Sequence, residues 1–160
     1  MVNYYSSFLS EEYRLAAKAQ QPAIDKAVAE AKAKLQEEGK PIPNELEEQI
    51  SKSYMAKIPR PPFSVIIDHI DHVAKIAGID HVGLGSDFDG IPSSPEGMDS
   101  AADLPKITQG LMARGYSAED MHKILGGNFL RVFAKVQEVS KQLQSESRPR
   151  IMEKQPFDKK

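Results

Sequence analysis

Hydrophobic residues recur at helical spacing through most of this chain, and short apolar runs that could form strands occur at two places. The first run covers residues 1–5, and the second covers residues 79–86 and is interrupted by glycines. Between them, residues 64–77 show a helical pattern that Gly78 is expected to end directly before the second run. A helix followed by a buried strand is the order found in α/β folds, so the sequence predicts an α/β fold that is mostly helical.

The segment 10–62 between the two runs is typical of a solvent-exposed helical insertion, because its helical pattern is rich in alanine and charged residues. Ser10 is suited to cap a first helix. Pro22 predicts that this helix stops and that a second one begins there, which then ends at Gly39. Further on, a proline-rich stretch at residues 58–62 predicts a rigid hinge.

Polar residues mark the starts of further helices. Asn44 and Glu47 resemble a capping box, in which each side chain binds the backbone of the other residue. Ser64 is expected to cap the helix that leads to the second strand. Ser117 and Asp120 form another capping pair, so a helix is predicted to start at each of these three places.

The region after the second strand is predicted to be a long loop followed by three helices. Residues 87–103 form a connection longer than usual, so this loop is expected to be either functional or disordered. Helices are predicted over residues 103–114, 117–125 and 128–143, the last one capped by Asn128, with residues 145–160 as a disordered tail.

The two predicted strands are too few to form a sheet on their own. Two parallel strands leave most of their backbone hydrogen-bonding groups unpaired. The sequence therefore predicts that this chain supplies part of a larger sheet.

Charge and composition exclude several classes of protein. The chain has 21 basic and 23 acidic side chains, which gives a formal net charge of −2. This balance creates no positive field for binding nucleic acid or an anionic membrane, and no apolar stretch is long enough to span a membrane. The chain contains no cysteine, so disulfides, thiolate metal sites and a cysteine nucleophile are excluded.

Asp87 and Asp89 are the first candidates for chemistry, because they directly follow the second predicted strand. In parallel α/β sheets, ligands bind at the loops that leave the carboxyl ends of the strands. If the strand continued, the two carboxylates would lie about 6.5 to 7 Å apart on one side, which would suit a shared cationic ligand. The alternative is that both residues only stabilise a turn.

Two histidines on the helix before that strand form a weaker candidate. His69 and His72 are three residues apart and could reach a common metal ion. The same helix needs its opposite, apolar face for packing, so the alternative is that both histidines lie at its surface.

Several sequence motifs together resemble the membrane (renal) dipeptidase family. They are DHIDHV at residues 68–73, AGIDHVGLGSDFDG at residues 77–90, ILGGNFLRVF at residues 124–133 and VNYY at residues 2–5. The resemblance covers residues 1–9 and 63–137, and segment 10–62 resembles a helical insertion of some bacterial members.

This resemblance implies a (β/α)8 barrel of the TIM type that hydrolyses dipeptides with two zinc ions. In such a barrel Asp87 would be the catalytic residue that binds the free amino group of the substrate or passes a proton to the leaving nitrogen. Tyr5, Phe8 and Gly90 would line the substrate pocket, and Asp89 would support the loop that positions Asp87.

The metal ligands of the family would all lie before Met1, so no metal ligand is expected in this chain. We therefore expect this chain to be the C-terminal part of a dipeptidase and to be inactive alone. Its expected divisions are a strand and loop at 1–9, the insertion at 10–62, the last barrel elements at 63–144 and the tail at 145–160. A dipeptide substrate and a homo-oligomer are the expected partners, in a soluble protein of the bacterial cytoplasm or periplasm. The alternative function is a non-catalytic helical module for self-association or partner binding.

Overall fold

The computed structural model describes residues 1–146, which form seven α-helices and two short strands. The strands are β1 (Val2–Asn3) and β2 (Leu84–Gly85). The helices are α1 (Ser6–Leu9), α2 (Glu11–Glu37), α3 (Leu46–Met55), α4 (Ser64–Ala77), α5 (Pro105–Ala113), α6 (Ala118–His122) and α7 (Asn128–Glu146). Short 3-10 turns cover Ile79–His81 and Ala101–Asp103, and a π-helical turn covers Lys123–Gly127.

The two strands pair in parallel, with Val2 opposite Leu84 and Asn3 opposite Gly85. Side chains alternate between the faces of a strand, so Val2 and Tyr4 share the face that is buried in the main core. The other members of that core come from the helices and loops on this side of the sheet: Leu9, Ile66, Ile67, Ile70, Val82, Met98, Ile107, Leu111 and Ile124. Helices therefore cover one face of the sheet, and the face that carries Asn3 is open.

The second strand is shorter than the sequence predicts, because residues 79–82 turn instead of extending. The Asn128 side-chain amide donates hydrogen bonds to the carbonyls of Ile79 at 2.7 Å and Val82 at 2.8 Å. Arg131 donates to the carbonyl of Asp80 at 2.6 Å. These side chains take carbonyls that a neighbouring strand would otherwise use, so β2 begins only at Leu84. Asn128 consequently makes these bonds and does not act as the predicted cap.

Pro22 does not divide helix α2, which runs unbroken over 27 residues. Proline in a helix interior costs about 3 kcal/mol, because it removes a hydrogen bond and crowds the preceding turn. Here Tyr13 and Ala17 before the proline and Ile24 after it lie on one face, and all three are buried in a second core together with Met55. This continuous apolar face offsets the local cost, so the predicted break at Pro22 is wrong.

Two of the predicted helix caps are also absent. Helix α3 follows Glu45, which makes no capping bond, and Glu47 instead pairs with Lys32 of α2 at 2.5 Å. Helix α4 follows Phe63, which already has helical backbone angles, so Ser64 is the first helical residue and not its cap.

The predictions for the C-terminal helices agree better with the structure. Ser117 and Asp120 form the expected capping box, and Gly115 has the positive φ of +83° that ends a helix. Helix α5 begins at Pro105, two residues later than predicted, after a 3-10 turn that Ser100 and Asp103 cap. Helix α7 continues through Glu146, and the remainder of the predicted tail, 147–160, lies outside the described residues.

The described residues therefore form a mostly helical fold with a small parallel sheet, and the complete barrel remains a prediction. Within residues 1–146, none of the helices combines the length and the apolar character needed to cross a lipid bilayer.

Candidate active site

Asp87 lies at the edge of the sheet where both parallel strands end. It is two residues beyond β2, and its φ of +58° makes it the one residue other than glycine with a positive φ among residues 1–146. Asp and Asn tolerate this left-handed conformation better than most residues, because their short polar side chains bond locally. The backbone therefore turns at Asp87 and the strand does not continue, so the condition under which Asp87 and Asp89 would lie on one side of a strand is not met.

One hydrogen bond holds the carboxylate of Asp87, and another closes its backbone turn. The side-chain amide of Asn3 donates a hydrogen bond to Asp87 Oδ2 at 3.0 Å, and the Gly90 backbone N–H donates to the Asp87 carbonyl at 2.9 Å. A Cβ atom on Gly90 would lie 2.4 Å from Asp87 Oδ1, which is too close for any side chain. A side chain at position 90 would therefore force the Asp87 carboxylate to move.

Tyr5 and Phe8 form an aromatic pair beside the end of β1. Helix α1 starts directly after Tyr5, and the Phe8 backbone N–H donates to the Tyr5 carbonyl at 2.8 Å. Their ring centres are 5.0 Å apart in an edge-to-face arrangement, and Phe8 is 68% exposed. An exposed aromatic ring at this edge of the sheet can contact a ligand, since most of its surface is open.

Asp89 lies in the turn at residues 88–90 with an exposed side chain. Phe88 points the opposite way and packs edge-to-face on the buried ring of Tyr4 at 5.9 Å. Within residues 1–146, the loop around Asp87 is held by Asn3, Gly90 and this aromatic contact, and no hydrogen bond or ion pair of the Asp89 carboxylate is seen. The supporting role of Asp89 stays a prediction.

The long loop after Asp87 is ordered by contacts with two distant segments. Ser6 donates its backbone N–H to the Ser93 carbonyl at 2.9 Å, and the hydroxyls of these two serines lie 3.0 Å apart. Arg60 binds Asp99 at 2.6 Å and the carbonyl of Pro95 at 2.8 Å. The loop is thereby fixed both to the end of β1 and to the segment that precedes α4, so the expectation of a disordered loop is wrong and its functional alternative stays a prediction.

The face of the sheet that leads to Asp87 has little side-chain bulk. Gly83 and Gly85 lie on it, and a Cβ on either would meet only the flexible Met1 side chain at 3.4 Å. Asp87 itself is exposed at the end of this open face. A ligand or another polypeptide could therefore approach the carboxylate closely.

The two histidines of helix α4 are not brought together with Asp87. His69 Nδ1 lies 3.1 Å from the Val65 carbonyl of its own helix, and His72 is exposed. In the part of the chain that the structure describes, no group of three or more His, Asp or Glu side chains is arranged to hold a metal ion.

The family of this chain follows from the match of residues 1–147 to the family model for membrane dipeptidase, peptidase family M19. The chain belongs to the membrane dipeptidase family. The match includes both strands, the Asp87 loop and helix α7, and also the helices of the insertion.

Fungal dipeptidases are among the relatives of this chain. Dipeptidase tcpJ of Claviceps purpurea is 41% identical over 75 residues, which are 47% of this chain and 18% of that protein. Dipeptidase ataJ of Aspergillus terreus is 43% identical over 83 residues, or 52% of this chain and 20% of that protein.

A solved structure of a dipeptidase resembles this chain as well. The crystal structure of the probable dipeptidase PvdM from Pseudomonas aeruginosa matches with a TM-score of 0.51 and 32% identity, over 61% of this chain and 25% of that one. The chain thus spans a quarter or less of the length of these relatives.

Asn3 is the site residue that the sequence did not reveal. It contacts Asp87 across 84 positions of sequence, so no local pattern connects the two. A signal was present nevertheless, because Asn3 is a polar residue within an apolar predicted strand. It stands two residues before Tyr5, which is predicted to line the substrate pocket, so both side chains are expected on the same face of the strand.

Proposed function

We propose that this chain is the C-terminal part of a zinc-dependent dipeptidase and that Asp87 is its catalytic carboxylate. One observation carries this proposal: Asp87 is fixed in a left-handed turn at the edge where both parallel strands end. Ligands of parallel α/β sheets bind at this edge. Membership of the membrane dipeptidase family supports the reaction type.

Asp87 would act on the amine end of the dipeptide. An ionised carboxylate can bind the ammonium group of the substrate, or it can pass a proton to the nitrogen that leaves as the peptide bond breaks. Asp87 Oδ2 accepts the hydrogen bond from Asn3, so Oδ1, beside Gly90, is the oxygen open to substrate. We propose that Tyr5, Phe8 and Gly90 line the pocket around it and that Asp89 supports the loop.

The residues present do not fit a zinc site. The described part of the chain offers no set of three metal-binding side chains, so no step through a metal is assigned to it. We propose that two zinc ions are bound by polypeptide that completes the barrel, and that this chain alone is inactive. We call this chain together with that polypeptide the complete enzyme, whether the two are parts of one protein or separate subunits.

A second candidate function is self-association without catalysis, and helix α7 favours it. Phe129, Val132, Val136 and Val139 follow each other at intervals of three and four residues, the spacing of paired helices. All four are between 40% and 60% exposed. The same face could instead pack against the rest of the barrel in the complete enzyme.

The substitution Asp87→Asn in the complete enzyme tests the catalytic proposal. Asn also tolerates the left-handed backbone, so the fold should survive the change. We expect kcat for a simple dipeptide to fall by about a hundredfold or more, as loss of a proton-transferring or charged group implies, while the bound zinc stays the same. An unchanged kcat would reduce Asp87 to a turn residue.

A further inference from the structure

Asn3 connects two predicted site residues, Tyr5 and Asp87, which follow different strands. Its Nδ2 donates to Asp87 Oδ2 at 3.0 Å, and its Oδ1 accepts from the backbone N–H of Tyr5 at 2.7 Å. One planar amide group therefore touches both the carboxylate after β2 and the backbone after β1.

The pairing of the strands explains how Asn3 reaches Asp87. Asn3 lies opposite Gly85, which has no side chain on the shared face. The amide of Asn3 can therefore extend along the sheet toward Asp87, two residues further on. A larger side chain at Gly85 would occupy this path.

Few other side chains could make both contacts. The site needs a donor for the carboxylate and an acceptor for the Tyr5 N–H, and the asparagine amide provides one of each. Aspartate would keep the acceptor but could not donate to Asp87 when both are ionised. Leucine has a similar shape but could do neither.

We infer that Asn3 is a positioning residue that sets the direction of the Asp87 carboxylate for the reaction. This inference rests on the proposed function of Asp87. With Oδ2 bound to Asn3, the other carboxylate oxygen, Oδ1, is directed to the space beside Gly90. Without Asn3, the exposed carboxylate would rotate among several rotamers and meet the substrate in fewer productive orientations.

The substitution Asn3→Asp in the complete enzyme separates positioning of Asp87 from a merely structural role. It preserves the acceptor for Tyr5, so a role limited to the backbone of β1 predicts wild-type kcat. Positioning of Asp87 predicts that kcat falls by about tenfold to a hundredfold, because the two carboxylates repel each other and the catalytic one turns away. KM should change by less than about threefold if the loss is confined to the transition state.

A double-mutant cycle completes the test. In the Asp87→Asn background, Asn3→Asp should cause little further loss, because the residue it would orient has already lost its function. If the fold-losses in kcat of the two substitutions multiply in the double variant, the inference is overturned. A wild-type kcat in Asn3→Asp would also overturn it. Asn44→Ala, in an exposed turn of the insertion, serves as the control that should leave kcat unchanged.

The outcomes distinguish this inference from the proposed function. If Asp87→Asn lowers kcat and Asn3→Asp does not, only the role of Asn3 is wrong. If Asp87→Asn leaves kcat unchanged, the proposed function fails and the role of Asn3 fails with it. Should Asn3→Asp not fold, Asn3→Ser provides a second variant, whose shorter hydroxyl cannot make both contacts. It should also lower kcat by about tenfold, and wild-type kcat there would overturn the inference.

Discussion

Gly90 and the Asp87 carboxylate share a space in which no side chain can be added. The hypothetical Cβ of Gly90 lies 2.4 Å from Asp87 Oδ1 and 3.2 Å from Asp87 Cγ. Asn3 binds the other oxygen, Oδ2, so a side chain at position 90 would push against a carboxylate that Asn3 holds. The glycine therefore controls where the carboxylate can be.

We expect Gly90→Ala to lower kcat of the complete enzyme by about tenfold to a hundredfold, since a displacement of about 1 Å in a reacting group has effects of that size. The melting temperature should change little, because Gly90 is exposed and lies outside the core. Steady-state kinetics and thermal unfolding of the same preparations would check both expectations.

Gly126→Ala is the matched control for this substitution. A Cβ at Gly126 would meet no atom within 4 Å, and this glycine lies in the turn before α7, outside the candidate site. Equal losses of kcat in Gly90→Ala and Gly126→Ala would contradict the importance of the Gly90 contact.

Asn128 should be a strong determinant of stability. It is only 6% exposed, and its amide binds the carbonyls of Ile79 and Val82, which lead into β2. Asn128→Ala leaves these acceptors without their partner, so we expect the free energy of unfolding to fall by about 2 to 3 kcal/mol. Urea unfolding would measure this loss. Asn44→Ala, at an exposed position, is the control and should change the free energy of unfolding by less than about 0.5 kcal/mol. Similar losses of unfolding free energy in both variants would count against the role of Asn128.

Tyr116 should make the fold sensitive to alkaline pH. Burial, followed by the hydrogen bond that its hydroxyl donates to Asp71 at 2.8 Å, raises its pKa from the ordinary value of 10.0 to about 12. Between these values the unfolded chain loses the proton while the folded chain keeps it. The contribution of Tyr116 is therefore complete below about pH 10 and is lost as pH rises toward 12.

Tyr116→Phe tests this dependence because phenylalanine does not titrate. We expect its urea midpoint to fall less than that of the wild type between about pH 9 and about pH 11. Its stability at the lower pH should itself be reduced, since the bond to Asp71 is lost. If the urea midpoints of the two proteins fell by the same amount over this pH range, Tyr116 would not contribute to the pH dependence of stability.

Helix α7 should cause the isolated chain to associate. Val136 lies in the middle of its exposed apolar face, and burying such a side chain contributes about 1.5 to 3 kcal/mol. We therefore expect Val136→Lys to weaken self-association by about tenfold or more in sedimentation experiments. Ala134→Lys, on the opposite side of the helix, is the control. If the wild type stays monomeric at all concentrations, this helix does not pair with a second copy.

The features that sequence predicts well here are local ones. The capping box of Ser117 and Asp120, the end of α4 at Gly78 and the end of α5 near Gly115 each depend on neighbours within a few residues. The position of Asp87 at the end of a strand also follows from a local pattern of glycines and apolar residues.

The features that sequence misses depend on distant partners. Pro22 stays within a helix because α2 packs its buried face against Met55 and Ile58, more than 30 positions away. Residues 79–82 turn because Asn128 takes their carbonyls. Asn3 reaches Asp87 only once the two strands are paired. None of these long-range contacts produces a periodic pattern in the sequence.

The parallel pairing of β1 with β2 has a consequence for the order of folding. The strands are separated by the insertion and by α4, so joining them closes a loop of some eighty residues, which is entropically costly and slow compared with forming local helices. The helices can form first, but the geometry around Asp87 exists only after this last closure. A partly folded chain can thus be rich in helix and still lack the edge of the sheet on which Asp87 and Asn3 meet.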